Sequence, residues 1–116
     1  MIIINLGHSM TDDQLRQIQE LRNVSWHSIM VRHVHARVNM NLPLAPQVDN
    51  LLEKTGVTDE QWQTEEILFV PATTSHVSLL AVSAMEKKIG HKPDVIRIAK
   101  DYPGSYRYVI AEIYQL

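Results

Sequence analysis

The stretch Glu66-Ile-Leu-Phe-Val-Pro-Ala-Thr-Thr-Ser-His-Val-Ser-Leu-Leu-Ala-Val-Ser-Ala-Met-Glu-Lys-Lys-Ile-Gly-His-Lys-Pro93 decides how the rest of the chain is read. Ile67–Val70 is a short unbroken apolar run, the pattern of a strand covered on both faces, and Pro71 closes it because proline cannot donate to a sheet ladder. From Val77 the apolar residues Val77, Leu80, Ala81, Ala84 and Met85 recur at helical spacing, with Leu79, Val82 and Ile89 widening the stripe. Gly90 followed by Pro93 ends that helix. Between strand and helix, Thr73, Thr74 and Ser75 are all competent N-caps. The turn thus sets hydroxyls and free backbone N–H groups at a helix N-terminus, where an anion is favoured.

The same strand, polar loop and capped helix occur at the start of the chain. Ile2-Ile-Ile4 is a β-branched run that stops at Asn5-Leu-Gly-His-Ser9, and Thr11-Asp-Asp-Gln14 matches a capping box. Leu15, Ile18 and Leu21 form the expected buried stripe of this helix, with Asn23 as its stop. Two such units are the sequence form of α/β architecture with loops gathered at one edge of a parallel sheet.

Between the two units, Val34, Ala36, Val38, Met40 and Leu42 alternate with His35, Arg37, Asn39 and Asn41, which predicts a half-buried strand. His33 and His35 share a side of it, but a metal site needs at least a third ligand that the sequence does not obviously supply, so an exposed basic strip is the preferred reading. Pro46 suits the first turn of a helix carrying Val48, Leu51 and Leu52, and Gly56 ends it. Thr58-Asp-Glu-Gln61 is a second capping box and opens a short helix around Trp62, read as a packing anchor. Asp94–Ala99 and Tyr106–Tyr114 are the last two strands, and the connection between them is too short for a parallel crossover, so they pair antiparallel. Tyr106, Tyr108 and Tyr114 share one face with Ile110 and Glu112, opposite Val109, Ala111 and Ile113, as an edge covering or a subunit interface.

A chain of 116 residues is expected to form one domain with one core. Cysteine is absent, which excludes disulfides and a thiol nucleophile. The start lacks the flanks of a signal peptide and no stretch reaches the length of a membrane span, so a cytoplasmic protein without a membrane partner is expected. A net charge of −2 argues against a broad surface for duplex DNA.

The order β-α-β-α-α-β-α-β-β describes a Rossmann-like α/β fold: a mainly parallel sheet, helices on both faces and a C-terminal antiparallel hairpin. In such sheets ligands sit beyond the carboxyl ends of the strands, where the strand order reverses. If the first strand neighbours Ile67–Val70, that point is lined by Gly7, His8 and Ser9 on one side and by Thr73, Thr74, Ser75 and His76 on the other. The set is rich in donors and poor in carboxylates, with only Asp101 near a strand end, and neither loop matches GxGxxG or a P-loop. A phosphate-bearing ligand held without metal or cofactor fits these residues best.

Five short stretches occur in order along nearly the whole chain: Asn5-x-x-His8-x-x-Thr11, Leu44-Ala-Pro-Gln-Val48, Trp62-Gln-Thr64, Gly90-His-x-Pro93 and Val109-Ile-Ala-Glu-Ile113. Together they resemble the Csx-fifteen family of type III CRISPR systems, grouped with the ring nucleases and the CARF (CRISPR-associated Rossmann fold) sensors. The sequence departs from the family pattern at Gly7 and Ser9, which flank the histidine where serine and proline are expected, and in its histidine-rich Trp26–His35 segment. The resemblance implies a CARF-like homodimer that binds cyclic tetra-adenylate, the second messenger of the interference complex. Candidate contacts are then Asn5, Gly7, His8 and Ser9 from the first loop, Ala72, Thr73, Thr74, Ser75 and His76 from the second, and Lys100 at the end of the fourth strand. Two activities follow from the resemblance, sequestration of the messenger or its metal-independent cleavage. In the second, the ring's own 2′-hydroxyl attacks and His8 or His76 serves as general base or acid.

Overall fold

A computed structural model describes all 116 residues. Five strands form one sheet: β1 (Ile2–Asn5), β2 (Met30–His33), β3 (Ile67–Val70), β4 (Asp94–Lys100) and β5 (Tyr108–Tyr114). Their spatial order is β2-β1-β3-β4-β5, parallel throughout except for the antiparallel β4–β5 pair. The helices are α1 (Asp12–Arg22), α2 (Leu44–Glu53), α3 (Asp59–Thr64) and α4 (Ser75–Ile89), with a 3-10 turn at Trp26–Ser28. β1 and β3 are buried at every position because both their faces are covered. Ile2, Ile4, Phe69 and Val95 pack with Val48, Leu51 and Leu52 of α2, Trp62 of α3 and Val77, Ala81 and Met85 of α4. On the other face Ile3, Leu68, Val70, Ile96 and Ile110 pack with Ile18 of α1. The chain is therefore a Rossmann-like α/β fold with helices on both faces. None of its helices is long and apolar enough to cross a membrane.

Both capping boxes form: the Thr11 and Thr58 hydroxyls accept from the N–H of Gln14 and Gln61, whose side chains return a bond to the cap residues. Gln14 also serves the sheet. Its amide donates to the Tyr108 carbonyl at 3.0 Å, and the Gln17 side chain accepts from the Ile110 N–H at 2.7 Å. Two α1 glutamines thus occupy the outer edge of β5, which would otherwise present open ladder groups. This pull toward β5 selects Gln14 and Ile18 as the buried line of α1, and Leu21, expected inside, is exposed.

Two further expectations need correction. The strand expected from Val34 to Leu42 is instead Met30–His33. The predicted alternation survives through Val38, with Val34, Ala36 and Val38 packed on the core and His35 and Arg37 outward, but it makes no ladder. The Val34 N–H bonds the Asn5 carbonyl, and β1 ends at that residue, so nothing remains to pair with. In β5, Arg97 pairs with Glu112 and Ile98 with Ile110, which leaves Ala111 as an extra residue. The bulge reverses the alternation: Tyr108 and Ile110 lie on the α1 face, while Glu112 and Tyr114 lie on the face of Val95 and Arg97.

Candidate ligand-binding site

β1 and β3 are adjacent and β2 lies outside β1, so the strand order reverses at β1/β3, where a doubly wound sheet opens its crevice. The loop leaving β1 is built around Asn5, which is fully buried. Its side-chain oxygen accepts from the Gly7 N–H and its amide donates to the His8 carbonyl, both at 2.8 Å. Asn5 is thus the frame of the loop, and both ends of its side chain are committed to the backbone. His33, at the end of β2, adds a second tie. Its Nε2 is 2.9 Å from the Gly7 carbonyl, an acceptor only, so Nε2 carries the proton and Nδ1 faces Ser9 Oγ at 3.4 Å. The ring of His35 lies 5.0 Å from that of His33, and nowhere do three potential metal-ligating side chains converge.

Gly7 is where the two loops meet. A Cβ at this position would stand 2.8 Å from the Pro71 carbonyl oxygen and 3.3 Å from Val70 Cγ1, so only glycine lets the β1 loop lie against the end of β3. The Leu6 N–H bonds the Val70 carbonyl at 3.0 Å and fixes the approach.

Above this junction is a cleft of about 870 Å³. Gly7, His8, Ser9, Ala72 and Thr73 line it, so five of the residues singled out in the sequence are brought together. Thr74, Ser75, His76 and Lys100 lie outside it. Thr74 is the N-cap of α4, yet its hydroxyl makes no capping bond. Ser78 Oγ instead donates to the carbonyls of Ala72 and Thr74, at 3.1 and 3.3 Å. The first-turn N–H groups of α4 consequently have no side-chain partner, and the three hydroxyls of the turn are not consumed in capping.

The far wall of the cleft comes from the β4–β5 hairpin and α1: Ile96, Arg97, Ile98, Tyr106, Arg107, Tyr108 and Tyr114 with Asp13 and Gln14. None of these was singled out as a ligand residue in the sequence. The available signal was Tyr106-Arg107-Tyr108, a cation between two aromatics at a strand start. Arg107 Nη2 bonds Asp13 at 2.6 Å and Nη1 bonds Asp101 at 3.2 Å, and Arg16 also reaches Asp13. The hydrogen bond from Arg107 holds the Asp13 carboxyl below its ordinary value, and the same bond holds the guanidinium above its own. With two carboxylates around it, Arg107 ties the hairpin loop to α1. The cleft thus has the Ser9 and Thr73 hydroxyls at its loop end and tyrosine rings at its hairpin end, where Arg97 and Arg107 are paired with carboxylates; the rings suit a ligand with planar groups to stack.

Comparison with protein-family models, curated proteins and solved structures finds no match to this chain.

Proposed function

We propose that this chain is a homodimeric binding module for cyclic tetra-adenylate that damps type III CRISPR signalling by sequestering the ring. The observation that carries the reading is the Gly7–Pro71 junction, which sets two donor-bearing loops side by side at the switch point, beneath a cleft walled by tyrosines. A ring of fourfold chemical symmetry fits the twofold axis of an isologous pair, each subunit offering the same loops to half of it. Leu79, exposed on α4, and the half-buried Val82 supply apolar surface for that pairing on the helix that follows the Ala72–Thr73 edge of the cleft. Such an interface buries on the order of 1,200–2,000 Å² in total.

Sequestration is preferred to cleavage because His8 is the only imidazole lining the cleft and His76 lies outside it. Attack by a 2′-hydroxyl is best served by a base and an acid on opposite sides of the phosphorus; beside His8 each subunit's cleft offers tyrosine hydroxyls and the Asp13 carboxylate, and that carboxylate is committed to Arg107 and Arg16. The test is to incubate excess protein with labelled cyclic tetra-adenylate in EDTA and to separate bound, intact and cut species, with light scattering alongside. Intact, bound ring on a dimer is expected. Linear fragments that form more slowly with His8→Ala establish the ring-nuclease reading instead, and a ring that stays unbound refutes both.

A further inference from the structure

β3 has four residues and β4 has seven, and the two are in register only at Leu68–Asp94 and Phe69–Val95. Beyond that point the β3-facing edge of β4 runs alone along the cleft. Alternate residues of a strand turn their N–H and C=O to opposite neighbours. On β5, the Tyr108 carbonyl and the Ile110 N–H are taken by Gln14 and Gln17 from beyond the sheet, while the Asp101 N–H bonds Arg107 across the hairpin. Ile98 and Lys100, opposite Ile110 and Tyr108, therefore turn their main-chain groups away from β5 and toward the β3 side, and Ile96 does so by the same alternation.

One more step of the parallel ladder would give the Ile96 carbonyl an N–H from residue 71 and the Ile98 N–H a carbonyl from residue 71. Residue 71 is Pro71, which has no N–H, and its carbonyl is turned to Gly7. Neither place is filled by another main-chain group. An acceptor on Ile96 and a donor on Ile98 are thus left open side by side, and both residues line the cleft.

The vacant position is one strand wide, about 10 Å between the lines of β1 and β4 at the usual strand spacing. A flat ring lying there in the plane of the sheet has Gln14 and Tyr108 on its α1 side and Arg97 and Tyr114 on the other. An acceptor beside a donor is the complement of adenine, whose 6-amino group donates next to N1, an acceptor. The open edge is too short for an added peptide strand, since Lys100, the next residue facing that way, lies outside the cleft lining.

We infer that the β4 edge reads the adenine base of the ligand, the Ile96 carbonyl accepting from the 6-amino group and the Ile98 N–H donating to N1. The inference rests on the reading of this cleft as a cyclic tetra-adenylate site. It is tested by calorimetry on the whole protein with cyclic tetra-adenylate and with the same ring carrying oxygen in place of every 6-amino group. In that analogue an oxygen faces the Ile96 carbonyl and an N1–H faces the Ile98 N–H, so both contacts repel, and affinity falls at least ~100-fold. In parallel, the Ile98 amide resonance moves on titration with the adenylate ring. Equal affinity for the two rings, or an unmoved Ile98 amide in a protein that binds, overturns the base reading and leaves ring binding standing. Failure of both rings to bind removes the inference together with the function it rests on.

Discussion

Replacing Gly7 by alanine tests the junction on which the site is built, and the sign of the effect decides. The φ of Gly7 is not in the left-handed region, unlike those of Gly56, Gly90 and Gly104, so alanine is acceptable to the backbone and only space is at issue. At a site that can give way, Gly→Ala stabilises by about 0.4–1 kcal/mol because the unfolded chain loses freedom. Here the new Cβ meets the Pro71 carbonyl oxygen at 2.8 Å, several tenths of an ångström inside an ordinary contact. Neither side moves freely. Pro71 follows the Leu6–Val70 bond directly, and Gly7 is held by Asn5 at 2.8 Å and by His33 at 2.9 Å. Relief requires loss of one of those ties, so Gly7→Ala should destabilise by about 1–3 kcal/mol, the usual cost of overpacking. For a chain of this size that lowers Tm by roughly 4 °C per kcal/mol, and the urea midpoint should fall without a change in slope. Affinity for the ring should fall with it as the loops part. A melting temperature equal to or above that of the parent refutes the claim that this contact is rigid.

Gln14→Ala removes both the return bond to the Thr11 N–H and the donor to the Tyr108 carbonyl, and should cost about 2 kcal/mol in urea unfolding; a loss below about 0.5 kcal/mol would mean water replaces it at the β5 edge. Asp13 has a depressed pKa in the folded state, so its contribution is present above the ordinary carboxylate range and is lost as the pH falls through its folded value, while Arg107 stays charged throughout. The difference in Tm between parent and Asp13→Asn should therefore be constant near neutrality and shrink in acid, and should also shrink in high salt; a difference independent of pH contradicts the ion-pair account. Thr74→Asp puts a capping carboxylate where the α4 N-cap hydroxyl makes no bond, and should stabilise the fold by about 0.5–1 kcal/mol in urea unfolding; an unchanged midpoint would mean that the first-turn N–H groups gain nothing from a side-chain cap.

What was legible in the sequence is what depends on near neighbours in the chain. Unbroken runs at Ile2–Ile4 and Ile67–Val70 marked buried parallel strands, and each capping box is complete within four residues, so both appear as read. Alternation over Val34–Val38 reported burial correctly, but pairing depends on how far the neighbour extends, and β1 ends too soon. The bulge at Ala111 was hidden because nothing in Tyr108–Tyr114 departs from a plain strand pattern, and the misplaced residue shows only against the register of β4. The site was half legible for the same reason. Its loops follow strands and announce themselves by composition, whereas Arg107 and the tyrosines reach the cleft only because β5 folds back beside β4 and Gln14 draws α1 over it. Pro71 shows the limit most clearly. As a residue it says that β3 stops, and that much is read from one position. What it leaves open lies 25 or more residues away, on Ile96 and Ile98, and its meaning appears only once β4 is laid in register beside β3. A missing N–H is a local fact of sequence, but the acceptor it deprives belongs to the fold.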